Sequence, residues 1–190
     1  MAGLALAAVG VLALLVFVLF GAVLELYRDV RQLRDVAGIP DRPLGVDVDS
    51  VAGTPPGEYG LPDALDESSS ALVLFLSDRC ATCRSLAASF DGSLPAGLWV
   101  VLEATGPESA RSFVDSYRLS EWISTGRVTV DAGGEIARRL GLDTTPVGFR
   151  VEDGLLSSAT TVPSTRYLSS VLPQPIRLKP RSSVQWRQAS

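Results

Sequence analysis

Six apolar residues in unbroken succession, Ala71-Leu72-Val73-Leu74-Phe75-Leu76, run through a short polar turn into two cysteines three positions apart, Cys80 and Cys83. This junction constrains the fold more than any other feature. An apolar run of strand length without alternation reads as a strand buried on both faces. Such a strand needs neighbours on each side and cover above and below, which implies a layered α/β domain. After the turn Ser77-Asp78-Arg79, apolar residues recur at helical spacing as Leu86, Ala87 and Phe90, so a helix starts near Cys80 and ends at Asp91-Gly92.

The rest of the domain, taken as residues 71–172, follows the same logic. Leu98-Trp99-Val100-Val101-Leu102 is a second buried strand. Pro107 to about Tyr117 is a helix, with Pro107 suited to the first turn. Val128-Thr129-Val130 is a short strand, and Gly134 to Leu140 a short helix stopped by Gly141. Val147-Gly148-Phe149-Arg150-Val151, a turn at Asp153-Gly154, and the chain from Leu155 onward read as a hairpin. Ser164 to Leu172 closes the domain as a helix. The order predicts a mixed sheet with helices on both faces.

The two cysteines stand at the strand-to-helix junction as Cys80-Ala81-Thr82-Cys83. A thiolate is the nucleophile in disulfide exchange. At a helix N-terminus, free backbone N–H groups and the helix dipole favour an anion. Cys80 occupies that end and is expected to be the acidic, exposed thiol. Arg79 beside it should acidify it further, and Asp78 should oppose this. Cys83, one turn later, is expected to be buried and to close back on Cys80, releasing a partner from a mixed disulfide. A stapling disulfide or two inert core thiols is the bland alternative, but so short a loop removes little unfolded-state entropy. A zinc site needs about four ligands. The chain has two cysteines and no histidine, so neither metal nor cofactor is expected. The missing histidines also exclude His-based acid–base catalysis, and a net charge of −4 gives no overall basic charge for binding nucleic acid.

Asp143-Thr144-Thr145-Pro146 leads into the hairpin. Here the chain resembles the thioredoxin superfamily, over about residues 71–172. The resemblance rests on the C-x-x-C, on Thr145-Pro146, and on the run Asp131-x-x-Gly134-x-Ile136-Ala137-x-x-Leu140-Gly141. It implies a thioredoxin-like sheet, and a cis Thr145-Pro146 bond facing the two cysteines. With that bond cis, the Thr145 backbone is available to pair with an extended substrate chain, strand to strand. The layout of apolar segment, arginine-containing turn, linker and domain is similar to the membrane-anchored thioredoxin-like group, which includes cytochrome c maturation and methylamine-utilisation types. Three departures stand out. Arg79 replaces the family's Trp, Ala81-Thr82 replaces Gly-Pro, and the strand acid that helps deprotonate the second cysteine matches Leu74. Glu103 is a substitute only if it faces the pair.

Met1 to Leu24 carries no charged side chain, and about 20 apolar helical residues span a bilayer core. A cleaved signal peptide would show a basic n-region and a shorter apolar run. Residues 1–26 are therefore read as a transmembrane anchor in contact with the lipid bilayer, and 27–38 as a juxtamembrane helix ended at Gly38-Ile39-Pro40. Residues 39–70, rich in Pro, Gly and acids, are read as a linker or a loosely packed extension. Residues 173–190 form a basic, proline-containing tail, read as a disordered terminus. Arg28, Arg31 and Arg34 follow the span and by the positive-inside rule point to the cytoplasm. The family resemblance implies the extracytoplasmic face, and that side is adopted here.

Three functions fit these features. A thiol–disulfide oxidoreductase would exchange with a protein thiol or disulfide substrate and a membrane redox partner. A thiol peroxidase would need a peroxide-binding arginine, for which Arg79 is the candidate. A redox-inactive docking subunit would keep only the fold. The anchor reading predicts that residues 1 to about 26 remain on the membrane-derived protein. Intact mass or N-terminal sequencing checks this, and a chain starting after Ala22 would refute it.

Overall fold

The computed structural model describes residue 10, residues 14–28 and residues 42–173. The chain divides into two compact units, Met1–Arg42 and Pro43–Ser190. In the first, residues 14–28 are helical (α1). This helix is apolar around its circumference, and Leu14, Phe17, Leu19, Phe20, Val23 and Leu24 are all exposed, Phe17 to 78%. Among the described residues no helix is long and apolar enough to cross a membrane. Most of the segment expected to form a juxtamembrane helix, the first residues of the expected anchor, and the tail beyond Pro173 lie outside the described residues.

The second unit is built on a six-stranded mixed sheet. Its strands are β1 (Gly45–Val46), β2 (Ser70–Ser77), β3 (Leu98–Ala104), β4 (Val128–Ala132), β5 (Val147–Glu152) and β6 (Leu155–Thr161). They are ordered β1-β6-β5-β2-β3-β4. Strands β2, β3 and β4 run parallel; on the other side of β2, β5 pairs antiparallel with β2 and β6 antiparallel with β5. The helices are α2 (Ala81–Ala88), α3 (Pro107–Ser116), α4 (Ser120–Ser124), α5 (Glu135–Arg139) and α6 (Thr165–Val171).

Alternation along the strands divides the core in two. Leu72, Leu74, Leu76, Val100 and Leu102 face α2, α3 and α6, packing with Cys83, Leu86, Phe113 and Leu168. Val73, Phe75, Val101, Phe149 and Val151 face the other way, against Ala137 of α5. Phe75 meets Phe149 edge-on, with ring centroids 5.8 Å apart. Helices thus cover both faces, as the sequence predicts.

Of the two readings of the proline- and acid-rich stretch, linker or packed extension, the structure has the extension. Two short 3-10 turns, Pro56–Tyr59 and Asp63–Leu65, carry it across the second face of the sheet. Val48, Val51, Leu61 and Leu65 are buried there with Phe75 and Phe149. The physical reason is economy of cover. Among the described helices only the five-residue α5 contributes to this face, and four well-spaced apolar side chains complete the shielding that a sheet face requires. The stretch begins with the two-residue edge strand β1, paired antiparallel with β6.

Helix α4 was not expected. Trp122 shapes it, donating from Nε1 to the Gly92 carbonyl at 2.9 Å. Arg127 stacks over the Trp122 ring at 4.9 Å and donates to the carbonyls of Pro95 and Leu98. These partners lie about thirty residues apart, so no local signal announces the turn.

The β5–β6 turn has Asp153 and Gly154 both at positive φ, 50° and 76°. The Gly154 N–H donates to the Ser68 carbonyl at 2.8 Å. A Cβ on Gly154 would lie 2.0 Å from the Asp66 carbonyl oxygen. Gly154→Ala should therefore cost the ~1–2 kcal/mol of a left-handed non-glycine residue plus a backbone collision, a total above about 3 kcal/mol. Gly53→Ala, at φ 81° with nothing within 4 Å of its Cβ, should cost only the first part. Denaturant midpoints of the two variants check this. Equal losses would mean that residues 66–69 do not rest on the hairpin.

Candidate functional site

Strand β2 ends at Ser77, and the chain turns so that the Cys80 N–H donates to the Ser77 carbonyl at 3.2 Å. Cys80 stays extended (φ −85°, ψ 121°) and is the N-cap of α2. An N-cap side chain accepts from the free N–H groups of the first turn. Here the acceptor is sulfur: the Cys83 N–H donates to Cys80 Sγ at 3.1 Å. Cys80 is half-buried, while Cys83 is fully buried in the core below it.

The loop after α5 brings Thr145 against this turn, and the Thr145-Pro146 bond is cis. The Cys80 thiol donates to the Thr145 carbonyl at 3.6 Å. The Thr145 N–H has no hydrogen-bond partner among the described residues. Chain separation between Cys80 and Thr145 is 65 residues, closed by the sheet.

The loop is held from behind by Asp131, a buried carboxylate at the end of β4. It accepts from the Ile136 N–H at 3.1 Å and the Ala137 N–H at 3.0 Å, capping α5. Two charge-assisted bonds to free helix donors fix the angle at which α5 delivers residues 141–146.

The electrostatics separate the two thiols. Cys80 is drawn down to about 6, chiefly by the hydrogen bond from the Cys83 thiol. Burial opposes this, and the Cys83 N–H, Thr145 and the Thr82 N–H add to it. Cys83 is pushed up, first by serving as donor to Cys80 and then by burial. The two shifts run in the expected order, down for Cys80 and up for Cys83. The expected role of Arg79 is not: its Nε lies 3.9 Å from Asp78 Oδ1, and it is not among the groups acting on Cys80. Asp78 is itself tied to the Thr105 N–H at 3.0 Å and the Thr105 hydroxyl at 2.8 Å. Sequence reasoning missed this clamp because its partners are 27 residues apart.

Glu103 is on the wrong face to serve Cys83. Its neighbours Leu102 and Ala104 point toward the cysteines, so Glu103 points toward the α5 side. There it lines a cavity of about 170 Å³ with Arg138, Asp143 and Thr145. Leu74 does lie on the face shared with Cys83 and is wholly buried. Cys83 belongs to the same apolar core as Leu72, Leu74, Leu76, Leu86 and Leu102. Among the described residues no cluster of three or more His, Cys, Asp or Glu could hold a metal.

No protein-family model matches the chain. No curated protein matches it either. Several solved structures are similar. A secreted Mycobacterium tuberculosis disulfide oxidoreductase homologous to E. coli DsbE is 22% identical, over 52% of this chain and 73% of its own, at TM-score 0.39. StoA from Bacillus subtilis is 14% identical, over 55% and 82%, at 0.40. A thiol-disulfide isomerase from Corynebacterium glutamicum is 16% identical, over 70% and 97%, at 0.40. At such values the assignment of function rests on this chain's own atoms.

The acidity of Cys80 has a measurable signature. Its alkylation rate should rise through pH 6 and level off by about pH 8, where a thiol of ordinary pKa is still rising. Cys83→Ala removes the largest stabilising contact and should move the inflection upward, short of the ordinary value because the residue-83 N–H remains. Because the folded pKa is depressed, the thiolate's contribution to stability is complete above about 9, and is lost as pH falls through 6. A wild-type inflection above pH 8 would contradict the capping geometry.

Proposed function

We propose that this chain is a membrane-anchored, thioredoxin-like thiol–disulfide oxidoreductase that exchanges disulfides with a protein partner. One observation carries the reading: Cys80 Sγ caps helix α2 by accepting the Cys83 N–H at 3.1 Å, and it stands 3.6 Å from the Thr145 carbonyl. A half-buried, acidic sulfur with a fully buried thiol one turn behind it is the arrangement that two-step exchange requires.

The steps follow from the geometry. The Cys80 thiolate attacks one sulfur of a partner disulfide, a Cys80–partner bond forms, and the partner's own S–S bond breaks with release of a thiolate. Cys83 then loses its proton and attacks Cys80. The Cys80–Cys83 disulfide forms, and the second partner thiolate leaves. The chain ends oxidised by two electrons and the partner reduced by two. Run backwards, the same steps oxidise a dithiol. In this scheme Cys80 and Cys83 are catalytic, and Thr145 and Pro146 line the substrate's path. The unpaired Thr145 N–H can accept an extended chain in strand fashion, which favours a polypeptide over a small oxidant. A peroxidase would need a cation at the sulfur, and Arg79 is not among the groups acting on Cys80.

The anchor belongs to the same reading. Its supports are the uncharged run Met1–Leu24 and the exposed apolar surface of α1, which lipid would cover. We place the domain on the extracytoplasmic side, where exported proteins with disulfides are found. A membrane redox partner would then reset the pair.

Trapping in native membranes tests the proposal. Cys83→Ala should accumulate a protein joined to Cys80 by a reducible bond, and Cys80→Ala should accumulate none. Adding a membrane-impermeant maleimide to intact cells reads the side as well, since only an outward-facing Cys80 is blocked. Equal adducts in both variants, or none in either, would refute the exchange reading.

A further inference from the structure

Beside the Cys80 turn, between the start of α2 and α3, lies an open groove of about 360 Å³. It is distinct from the Thr145 loop. Its near wall is Arg79, immediately before the nucleophile, and Arg84, one turn after it. Arg84 is ordered over the groove by donating from Nη1 to the Asp78 carbonyl at 3.1 Å. Its far wall is one stripe of α3, where Ser109, Ser112, Phe113, Ser116 and Tyr117 recur at helical spacing. Asp78 lies between the walls, its side chain only 8% exposed. Thr105 holds Asp78 Oδ2, but Oδ1 is buried and makes no hydrogen bond.

Two features here call for a ligand. A buried carboxylate oxygen without a donor is costly and rare in a native structure. Its nearest cation, the Arg79 Nε, is 3.9 Å away, beyond hydrogen-bond reach, on a guanidinium that is 72% exposed. At that distance and exposure the guanidinium can turn to another anion without giving up a hydrogen bond. The second feature is sign. The chain carries a net charge of −4, yet two arginines flank its nucleophile, and only Arg79 has a carboxylate partner. A groove lined by hydroxyls, two aromatic side chains, one carboxylate and two guanidinium groups fits a polypeptide better than a lipid or a nucleic acid.

Resting on the exchange reading above, we propose that this groove selects the partner: an acidic segment beside the partner's reactive cysteine docks here. Its side-chain carboxylates pair with Arg79 and Arg84. Its path lies along the hydroxyl stripe of α3. Arginine suits this task because its fork binds carboxylate in a fixed geometry. The groove therefore acts on which disulfide is attacked, leaving the sulfur chemistry to the cysteine pair.

The test uses the full chain in its reduced form. Two synthetic peptides of about nine residues carry one cysteine as a mixed disulfide with thionitrobenzoate, with glutamates or with glutamines around it. Release of thionitrobenzoate gives the exchange rate. The ratio of the two rates on one protein cancels any change in Cys80 nucleophilicity. The wild-type ratio should be about tenfold at low salt and shrink toward one at high salt. R79Q/R84Q should bring it below about twofold, and R79K/R84K should restore part of it. Iodoacetamide, which is neutral, reports Cys80 reactivity independently, and circular dichroism reports folding. Exchange with both peptides at equal rates would overturn the groove and leave the dithiol reading standing. Overturn would also follow if the symmetrical thionitrobenzoate disulfide alone showed the full arginine dependence, since the groove would then serve small anions. Failure of both peptides despite normal alkylation of Cys80 would take down both readings.

Discussion

The hydrogen bond from the Cys83 N–H to Cys80 Sγ is the contact on which the functional arrangement hangs. It satisfies a helix-terminal donor that would otherwise need water, and it does so with the atom that must carry negative charge. The same bond orders the two thiols, because the residue that supplies the donor also lies one turn deeper in the core. Strand β2 makes this possible. Buried from Ala71 to Ser77, it cannot drift in register without exposing a face, so the point where it stops is fixed, and with it the first turn of α2.

The second constraint comes from the far side of the sheet. Thr145 reaches Cys80 only because β5 pairs antiparallel with β2, setting Val147 opposite Phe75. Asp131 then governs the approach of the loop by capping α5. A buried carboxylate in β4 thus holds the reactive end of the molecule in shape without touching sulfur. The covering segment 43–70 does similar work beneath, shielding Phe75 and Phe149 from water.

Arg79 and Asp78 show how a local inference can be sound in type and wrong in geometry. A cation next in sequence to a thiol should acidify it. In an extended turn, however, consecutive side chains diverge. Arg79 turns to Asp78 and the groove, while the sulfur turns into the helix N-terminus. The charge near the nucleophile is then available for recognition and leaves acidity to the hydrogen bonds. On the inner face of β2 Leu74, wholly buried, stands in the same core as Cys83, at the position where the resemblance leads one to expect a carboxylate.

Sequence alone determined the buried strand, the helix after it and the order of the two cysteines upon it. Each of these is a local pattern: an unbroken apolar run, a helical repeat, and the difference between the first position of a helix and the fourth. It determined the hairpin for the same reason, since Asp153-Gly154 accommodates the positive φ its turn demands. Tertiary structure decided the rest. Which face Glu103 takes, where Arg79 points, that residues 43–70 pack as cover, and that Trp122 organises a helix through Gly92 all depend on partners brought together by the sheet. So does the meeting of Cys80 with Thr145 across 65 residues. Burial and hydrogen bonding between distant segments leave no periodic trace in either one, and the direction of a polar side chain at a turn follows from whichever partner the fold delivers to it.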